Sequence, residues 1–485
     1  MGNIKTVNLN KLAFRSGSSY MVSNIMISAI SILTAPIFTR LLTTADYGVA
    51  SNFAAWVNVG LVIIGLGLPY SIGNAKTDFP SELNKFLASI QLLGTIMAGS
   101  VLILAIIFKD NLANWMEVDP SLVVIMFVYL LVFPSVLLAQ ERYKFLLKYK
   151  QNIYISLFGA LGAVSFCFLF ILVFFKDQRY YGRIIGLIFP FFLMGSFFYI
   201  KILVDGWNVD FKKYWSYALK ISLPMIPHAL AMVVLTQMDR IMIVKICGNA
   251  DAGLFSFGYS YAVLLLLVSN AVLQAYQPWL YIKYKAMDIQ SIGVSTSFIA
   301  TGMCLLTLVC ITVAPEALMV LGAKNFWAAK VVVMPIAIGA LFQYIYNTYT
   351  TLELFHKKTI VIAIGTIFAA AINYSLNSLL IPVYGFIAAA YATLLSYLSL
   401  ALFHLIAHKK ITKKSIYNDE YIWIIAFTTA VIAYFISQLY ETIMLRYIVF
   451  LSVILVVFLI ALVNKKRIAL SYQLMTEKRE DTILA

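Results

Sequence analysis

Apolar runs of about 20 residues, separated by short polar or charged breaks, recur along the whole chain. A helix of that length crosses a ~30 Å hydrocarbon core. Breaking the runs at charge clusters predicts fourteen transmembrane helices, centred near residues 28, 60, 97, 130, 164, 192, 228, 266, 304, 340, 368, 396, 429 and 454. The first run follows Lys5, Lys11 and Arg15 and continues without a small-x-small cleavage site, so it is expected to be an uncleaved first span. Connections are short, and none shows strand alternation or a Gly/Ser-rich linker. The expected fold is an all-α polytopic membrane protein whose chemistry takes place within the bilayer.

Composition agrees with the pattern. Of the 485 residues 62% are hydrophobic and only 12% charged, a balance that no soluble fold of this size carries. The net charge of +15 would point to nucleic acid in a soluble protein. Here it is read loop by loop, because Lys and Arg accumulate on the cytoplasmic side, and no nucleic-acid partner is expected. With a cytoplasmic amino terminus, the inner segments collect most of the 36 Lys and Arg, including Arg142, Lys144, Lys148 and Lys150, then Lys409, Lys410, Lys413 and Lys414, then Lys465, Lys466 and Arg467. Both termini are therefore expected on the cytoplasmic side. One outer connection, with Lys176, Arg179 and Arg183, breaks the rule and flags a possible miscount. Cys167, Cys247, Cys304 and Cys310 lie in or at the end of apolar runs and read as small hydrophobes.

The chain contains a duplicated signature. Asp46-Tyr47-Gly48-Val49-Ala50-Ser51 returns as Asp251-Ala252-Gly253-Leu254-Phe255-Ser256, with the glycines 205 residues apart, and Tyr181-Gly182 returns as Tyr384-Gly385, 203 apart. Each Asp-x-Gly is locally a helix-start turn; the shared offset is what indicates duplication. Six spans per copy make two halves in the same sense, related by a pseudo-two-fold along the membrane normal. The expected divisions are 1–205, 206–410, and two extra helices with a cytoplasmic tail in 411–485.

Polar side chains inside spans are costly against lipid and normally face the bundle interior or a wet cavity. At 100° per residue, Ser256, Ser260, Asn270, Gln274 and Gln277 share about 100° of arc on the eighth span. Asn24, Ser28 and Ser31 on the first span, Gln343, Asn347 and Thr351 on the tenth, and Asn373 and Asn377 on the eleventh form further polar faces. The seventh span is the richest, with Lys220, Pro224, Pro227, His228, Asp239 and Arg240. On a straight helix Lys220, His228 and Asp239 would share a face, although two prolines three apart predict a kink. Arg40 ends the first span, which also contains Pro36.

Together these residues resemble a family. Thr34-Ala35-Pro36-Ile37-Phe38-Thr39-Arg40-Leu41-Leu42 leading to Asp46-Tyr47-Gly48, then Leu223-Pro224, Asp239-Arg240 and Gly253, and Asn373 to Thr393, are similar to the Wzx-type polysaccharide flippases. That superfamily also holds the lipid II flippases and MATE drug exporters. The resemblance covers nearly the whole chain and implies export of undecaprenyl-pyrophosphate-linked oligosaccharide repeat units across the bacterial inner membrane, for O-antigen, capsule or exopolysaccharide. It also implies membrane lipid, the polysaccharide polymerase and the chain-length regulator as partners.

A pyrophosphate head needs cations and hydrogen-bond donors. Arg40, Lys220, His228 and Arg240 are the candidates, with Asp239 beside them. Asn270, Gln274, Gln277, Gln343 and Asn347 suit hydroxyl-rich sugar. Pro36, Pro224 and Pro227 are the expected hinges for rocking of the halves. No P-loop or cofactor motif is present, so no cofactor is expected; proton or sodium coupling is compatible with the sequence and not required by it.

A lipid II flippase would concentrate several arginines in the first two spans, where this chain has Arg40 alone. A MATE-like exporter would embed carboxylates in the first six spans, where Asp46, Asp78 and Glu141 all lie near ends. A membrane-bound glycosyltransferase or polymerase would show an acidic metal motif or a large outer loop, and neither is found. The chain is not expected to be an enzyme.

Overall fold

The computed structural model describes residues 30, 33–207 and 211–463, and among these every regular element is helical. Twelve helices are long and apolar enough to cross a membrane. They are α1 Thr44–Gly65, α2 Leu83–Ile107, α3 Pro120–Phe145, α4 Tyr149–Phe174, α5 Arg179–Gly206, α6 Phe211–Cys247, α7 Asn249–Lys285, α8 Ile289–Leu321, α9 Lys324–Phe355, α10 Thr359–Tyr384, α11 Phe386–Thr412 and α12 Asp419–Gln438. A further apolar helix, α13, covers Ile443–Val463. Residues 33–41 are also helical. The rest of the expected first span, with Asn24, Ser28 and Ser31, lies outside the described residues.

The thirteen named helices match the predicted centres, because hydrophobic length is a local property that packing does not rewrite. The suspected miscount is resolved at the α4–α5 junction. The two helices are separate, and the cations there find local partners: Arg179 Nη1 donates to Leu41 O at 2.8 Å, and the Arg183 guanidinium stacks 3.8 Å above the Phe38 ring.

The described residues form two compact units. The first takes the described residues up to Ser256 with Leu321–Asn325 and Asn377–Phe386, and the second Phe257–Val320, Phe326–Leu376 and the described residues from Ile387 onward.

In the first unit, α1 starts at a capping box, with Thr43 and Asp46 exchanging side-chain and backbone hydrogen bonds. It stops where Leu66 and Gly67 both turn left-handed, at φ 48° and 63°. Phe53, Trp56, Met126, Leu130 and Ile184 form one core. A second gathers Phe86, Leu87, Ile72, Tyr214 and Ala218. Helices α4 and α5 cross so closely that a Cβ on Gly186 would stand 2.4 Å from the Cys167 Cα.

Helix α6 is interrupted by a tight 3₁₀ turn at Leu223–Met225, where Pro224 withholds a backbone donor. Its first segment, Phe211–Ser222, buries Tyr214, Ala218 and Ser222 and leaves Lys212, Ser216 and Lys220 exposed. Trp215 Nε1 anchors it to Ser89 O at 2.7 Å.

The second unit centres on α9, whose stretch Lys330–Phe355 buries twenty residues. Helix α7 packs against it after a break at Val263, and α13 is tied to α8 by an Arg446–Glu316 ion pair.

Candidate functional site

Asp46 and Asp251, the acidic residues of the repeated motif, sit in the first turns of α1 and α7, where a negative charge favours a helix amino terminus. The two first turns meet within the first unit. A Cβ on Gly48 would fall 1.8 Å from Asn249 O, and a Cβ on Gly253 would fall 1.9 Å from Thr44 O. Each glycine thus faces the carbonyl four residues before the other, a reciprocal contact with local two-fold character. No other residue type fits either position without moving backbone.

The far end of α1 is open. A cavity of about 280 Å³ lies among α1, α2, α3 and the start of the second segment of α6, with Gly65, Tyr70, Gln91, Thr95 and Glu141 on its walls. Gln91 is buried and donates to Ser135 Oγ at 2.7 Å, while its Oε1 has no partner among the described residues. Seventeen residues of helix, about 25 Å at ~1.5 Å per residue, separate Gly65 from Gly48. Helix α1 therefore makes close backbone contact near Gly48 and borders a cavity near Gly65.

The expected phosphate ligands are spread along this unit rather than gathered. Arg40 is exposed, donates from Nη1 to Pro36 O at 2.8 Å, and lines a second cavity of about 390 Å³ with Asp46, Asp177 and Arg179. Two cations there face two carboxylates, so that cavity carries no strong net charge. Pro36 is half-buried in the helical stretch 33–41.

Lys220 is exposed at the end of the first segment of α6, and His228 is half-buried just past the 3₁₀ turn, beside the exposed Pro224 and Pro227. The shared face expected for Lys220, His228 and Asp239 required an uninterrupted helix, and the turn removes that premise. Asp239 is fully buried and accepts a 2.6 Å hydrogen bond from Asn377 Nδ2. Arg240 donates from Nη1 to Thr236 O at 2.7 Å and lies 6.0 Å from the Phe255 ring centroid. Twenty residues separate Lys220 from Arg240, roughly 30 Å of helix, so the two cannot hold one pyrophosphate together.

The sugar-directed residues belong to the second unit. Asn270 and Gln274 are exposed on α7 after its break. Gln277 donates to Tyr281 Oη at 2.8 Å, and Tyr281 in turn donates to Thr351 O at 3.0 Å. Gln277 is thereby part of the link between α7 and α9. Gln343 and Asn347 are half-buried on α9, and Gln343 Oε1 lacks a partner among the described residues. The break at Val263 separates Ser256 and Ser260 from the other three, so the single long polar stripe becomes two short ones.

Sequence reasoning passed over two features. Gln91 is a lone amide in an otherwise apolar run. Glu353, on α9, and His404 and His408, on α11, are absent from the sequence reading, although two histidines at i, i+4 in an apolar run are a signal in themselves. Among the described residues no cluster of three or more His, Cys, Asp or Glu could hold a metal ion.

Comparison with known proteins places this geometry. A family model described as polysaccharide biosynthesis protein matches residues 13–282. No curated protein is matched by sequence. Among solved structures, the lipid II flippase MurJ in its inward closed conformation is similar over 94% of this chain and 100% of its own, with a TM-score of 0.68 and 15% identity. An inward-facing multidrug resistance MATE family transporter of the MOP superfamily is similar over 81% of this chain and 99% of its own, with a TM-score of 0.59 and 13% identity. A MATE transporter from Vibrio cholerae is similar over 84% and 98%, with a TM-score of 0.54 and 13% identity. These TM-scores establish a shared fold, and the family model covers more than half the chain. The protein belongs to the polysaccharide biosynthesis protein family and has the multi-helix membrane fold of the MOP-superfamily transporters.

Proposed function

We propose that the chain is a flippase that carries undecaprenyl-pyrophosphate-linked oligosaccharide repeat units from the cytoplasmic to the outer leaflet of the bacterial inner membrane, by alternating access. The observation that carries the proposal is a cavity at each end of α1 in the first unit, one beside Gly65 and Gln91 and one beside Arg40 and Asp46, some 25 Å apart along the helix, with the duplicated glycine turns in backbone contact next to the second. With both termini cytoplasmic, as the charge distribution predicts, the Gly65 cavity lies toward the cytoplasm and the Arg40 cavity toward the outside. The two six-helix halves are part of the same proposal, supported by the shared sequence offset and the reciprocal glycine contact.

Exposed Lys220 stands at the cytoplasmic end of α6, and Arg240 lies far along the same helix. Their separation fits successive use: Lys220 meets the pyrophosphate on entry, and Arg240 and Arg40 meet it near the outer end. Asn270, Gln274, Gln343 and Asn347 offer hydrogen bonds to the sugars. In an inside-negative membrane, outward transfer of each net negative charge gains about 2.3 kcal/mol per 100 mV. No phosphate-bond energy is needed for that step.

Deletion of the gene in its own host tests the proposal. The expected result is repeat units stranded on the cytoplasmic face with no polymer outside, reproduced by Lys220→Ala and Arg240→Ala in protein that still reaches the membrane. Intact surface polymer with a changed drug tolerance would move the protein to the exporter branch. A lipid II flippase is the second reading, favoured by the full-length likeness to MurJ. It predicts accumulation of the cell-wall precursor instead.

A further inference from the structure

We propose that the cavity beside Gly65 and Gln91 is a binding site for a neutral, chain-like apolar molecule that carries one hydroxyl group. The site does not depend on what the chain transports. Its walls are mostly leucine, valine, isoleucine and proline from α1, α2, α3 and the second segment of α6. On α3 they run from Leu131 to Glu141, about 15 Å of helix. The volume of about 280 Å³ lies at the small end of the range for small-molecule sites. Lys220, Arg240 and Arg40 do not line it, nor do the amides of α7 and α9. The cavity therefore has no part in the contacts assigned to the pyrophosphate and the sugars, and its own walls are left to define what it holds.

Gln91 supplies the polar anchor. It is only 4% exposed, and its Nε2 is spent on Ser135 Oγ at 2.7 Å, which leaves Oε1 buried and without a partner among the described residues. A buried acceptor with nothing to accept is costly, and a donor that arrives on a ligand removes the cost. Thr95 and Glu141 are already engaged. The Thr95 hydroxyl donates to Gln91 O at 2.8 Å and stands 3.3 Å from Tyr199 Oη. Glu141, four residues from the end of α3, has both carboxylate oxygens 3.1 Å from Lys144 Nζ. These groups select the charge of the occupant. A carboxylate or phosphate would meet the Glu141 charge at one end and a bare acceptor at Gln91. An ammonium would find Glu141 held by Lys144 and would otherwise face a neutral amide among apolar walls, where an ion is poorly solvated. A hydroxyl donates to Oε1 and brings no charge.

Glycine keeps the space open. At Gly48 and Gly206 in the same unit, glycine lets backbones touch. Gly65 and Gly94, which both line the cavity, do not serve that purpose. A Cβ on Gly65 would meet nothing within 4 Å, and one on Gly94 would meet only Leu68 Cδ1, at an ordinary 3.6 Å. Gly94 lies in the interior of α2, where glycine weakens a helix, and no close backbone explains it there. A larger side chain at either position would take up volume that a ligand could otherwise fill.

The test uses the full-length protein in lipid nanodiscs and a decanol analogue bearing a photoreactive diazirine. Labelling, mapped by mass spectrometry, should fall on the cavity residues of α1, α2 and α3, and decanol should compete for it better than decanoate or decylamine. Gln91→Leu should weaken the competition by about two- to tenfold, the worth of one hydrogen bond. Gly94→Leu should abolish the labelling, and Gly65→Leu fills the same cavity from α1 should the first variant not fold. Equal labelling in the wild type and a folded filled variant overturns the site. A carboxylate or amine that competes as well as the alcohol overturns the assigned chemistry. Extraction in native membrane patches separates the sources of the occupant. A hydroxyl-bearing lipid enriched on the wild type over Gly94→Leu supports the site with a membrane lipid in it; decanol-competed labelling with no enriched lipid supports the site with a small molecule taken from solution.

Discussion

The two units solve the packing of membrane helices by different means. In the first, backbones approach at glycine: Gly48 and Gly253 at the reciprocal contact, Gly186 against Cys167, and Gly206, whose Cβ would fall 1.9 Å from Asn84 O. Without a hydrophobic drive between helices in lipid, such small residues gain van der Waals contact by letting backbones touch. In the second, glycine meets backbone at Gly258, whose Cβ would fall 2.6 Å from Ala329 O, and long side chains pair with each other, as Glu353 with His404, Tyr349 with Asp419, and Arg446 with Glu316. Glycine contacts are steric and carry no charge, so pH does not act on them. Paired ionisable groups in the second unit hold helices together through directional bonds that fail when one partner is removed. The contrast sets close backbone contact in the first unit against side-chain pairing in the second.

The strongest way to break this comparison is at the buried pair. His404→Leu leaves the Glu353 carboxylate alone in the interior and should cost about 3–5 kcal/mol, whereas Glu353→Met/His404→Leu should restore most of it. Thermal or denaturant unfolding in detergent measures both; a double variant as unstable as the single would show that packing, not pairing, holds α9 to α11.

Next in size, Gly48→Val should cost about 1–3 kcal/mol through overpacking and backbone shift and should slow transport. Gly302→Ala in the second unit, where a Cβ meets nothing within 4 Å, should stay within about 0.5 kcal/mol of the wild type. Equal effects at the two glycines would erase the distinction between the units.

The smallest effect lies at an exposed ion pair outside the spans. Hydrogen bonding from Lys213, then from Tyr214, holds the Glu82 carboxyl below its usual range. A depressed carboxyl stabilises the fold above its unfolded value, and that contribution fades as pH falls through the folded one. Glu82→Gln should therefore flatten the acid side of the stability curve slightly, with no change at neutral to alkaline pH beyond the lost ion pair, as read from melting temperature against pH.

The helices were legible in the chain because each span is specified by its own apolar length and its own breaks, as Leu66-Gly67 and Gly385 show. The repeated Asp-x-Gly motif was equally legible. That its two copies touch was not, since nothing local to Gly48 records the position of Asn249. The candidate site was read less completely. Lys220, Asp239 and Arg240 were found by their cost in a span, yet their grouping on one face depended on a straight α6, which the Leu223–Met225 turn denies. Glu353 escaped because it sits two residues from the end of α9, where a charge ordinarily reaches water, and His404 because nothing local to it records the position of Glu353.

By itself the sequence determined that this protein crosses the membrane many times and where the crossings fall, because transfer of apolar length into lipid is a short-range term. The tertiary structure decided which polar groups are met and which are buried. Glu353 finds His404 across 51 residues and Asp239 finds Asn377 across 138. The free energy of a buried charge is set by the partner the fold delivers, and that partner is chosen by helix packing rather than by neighbours in the chain.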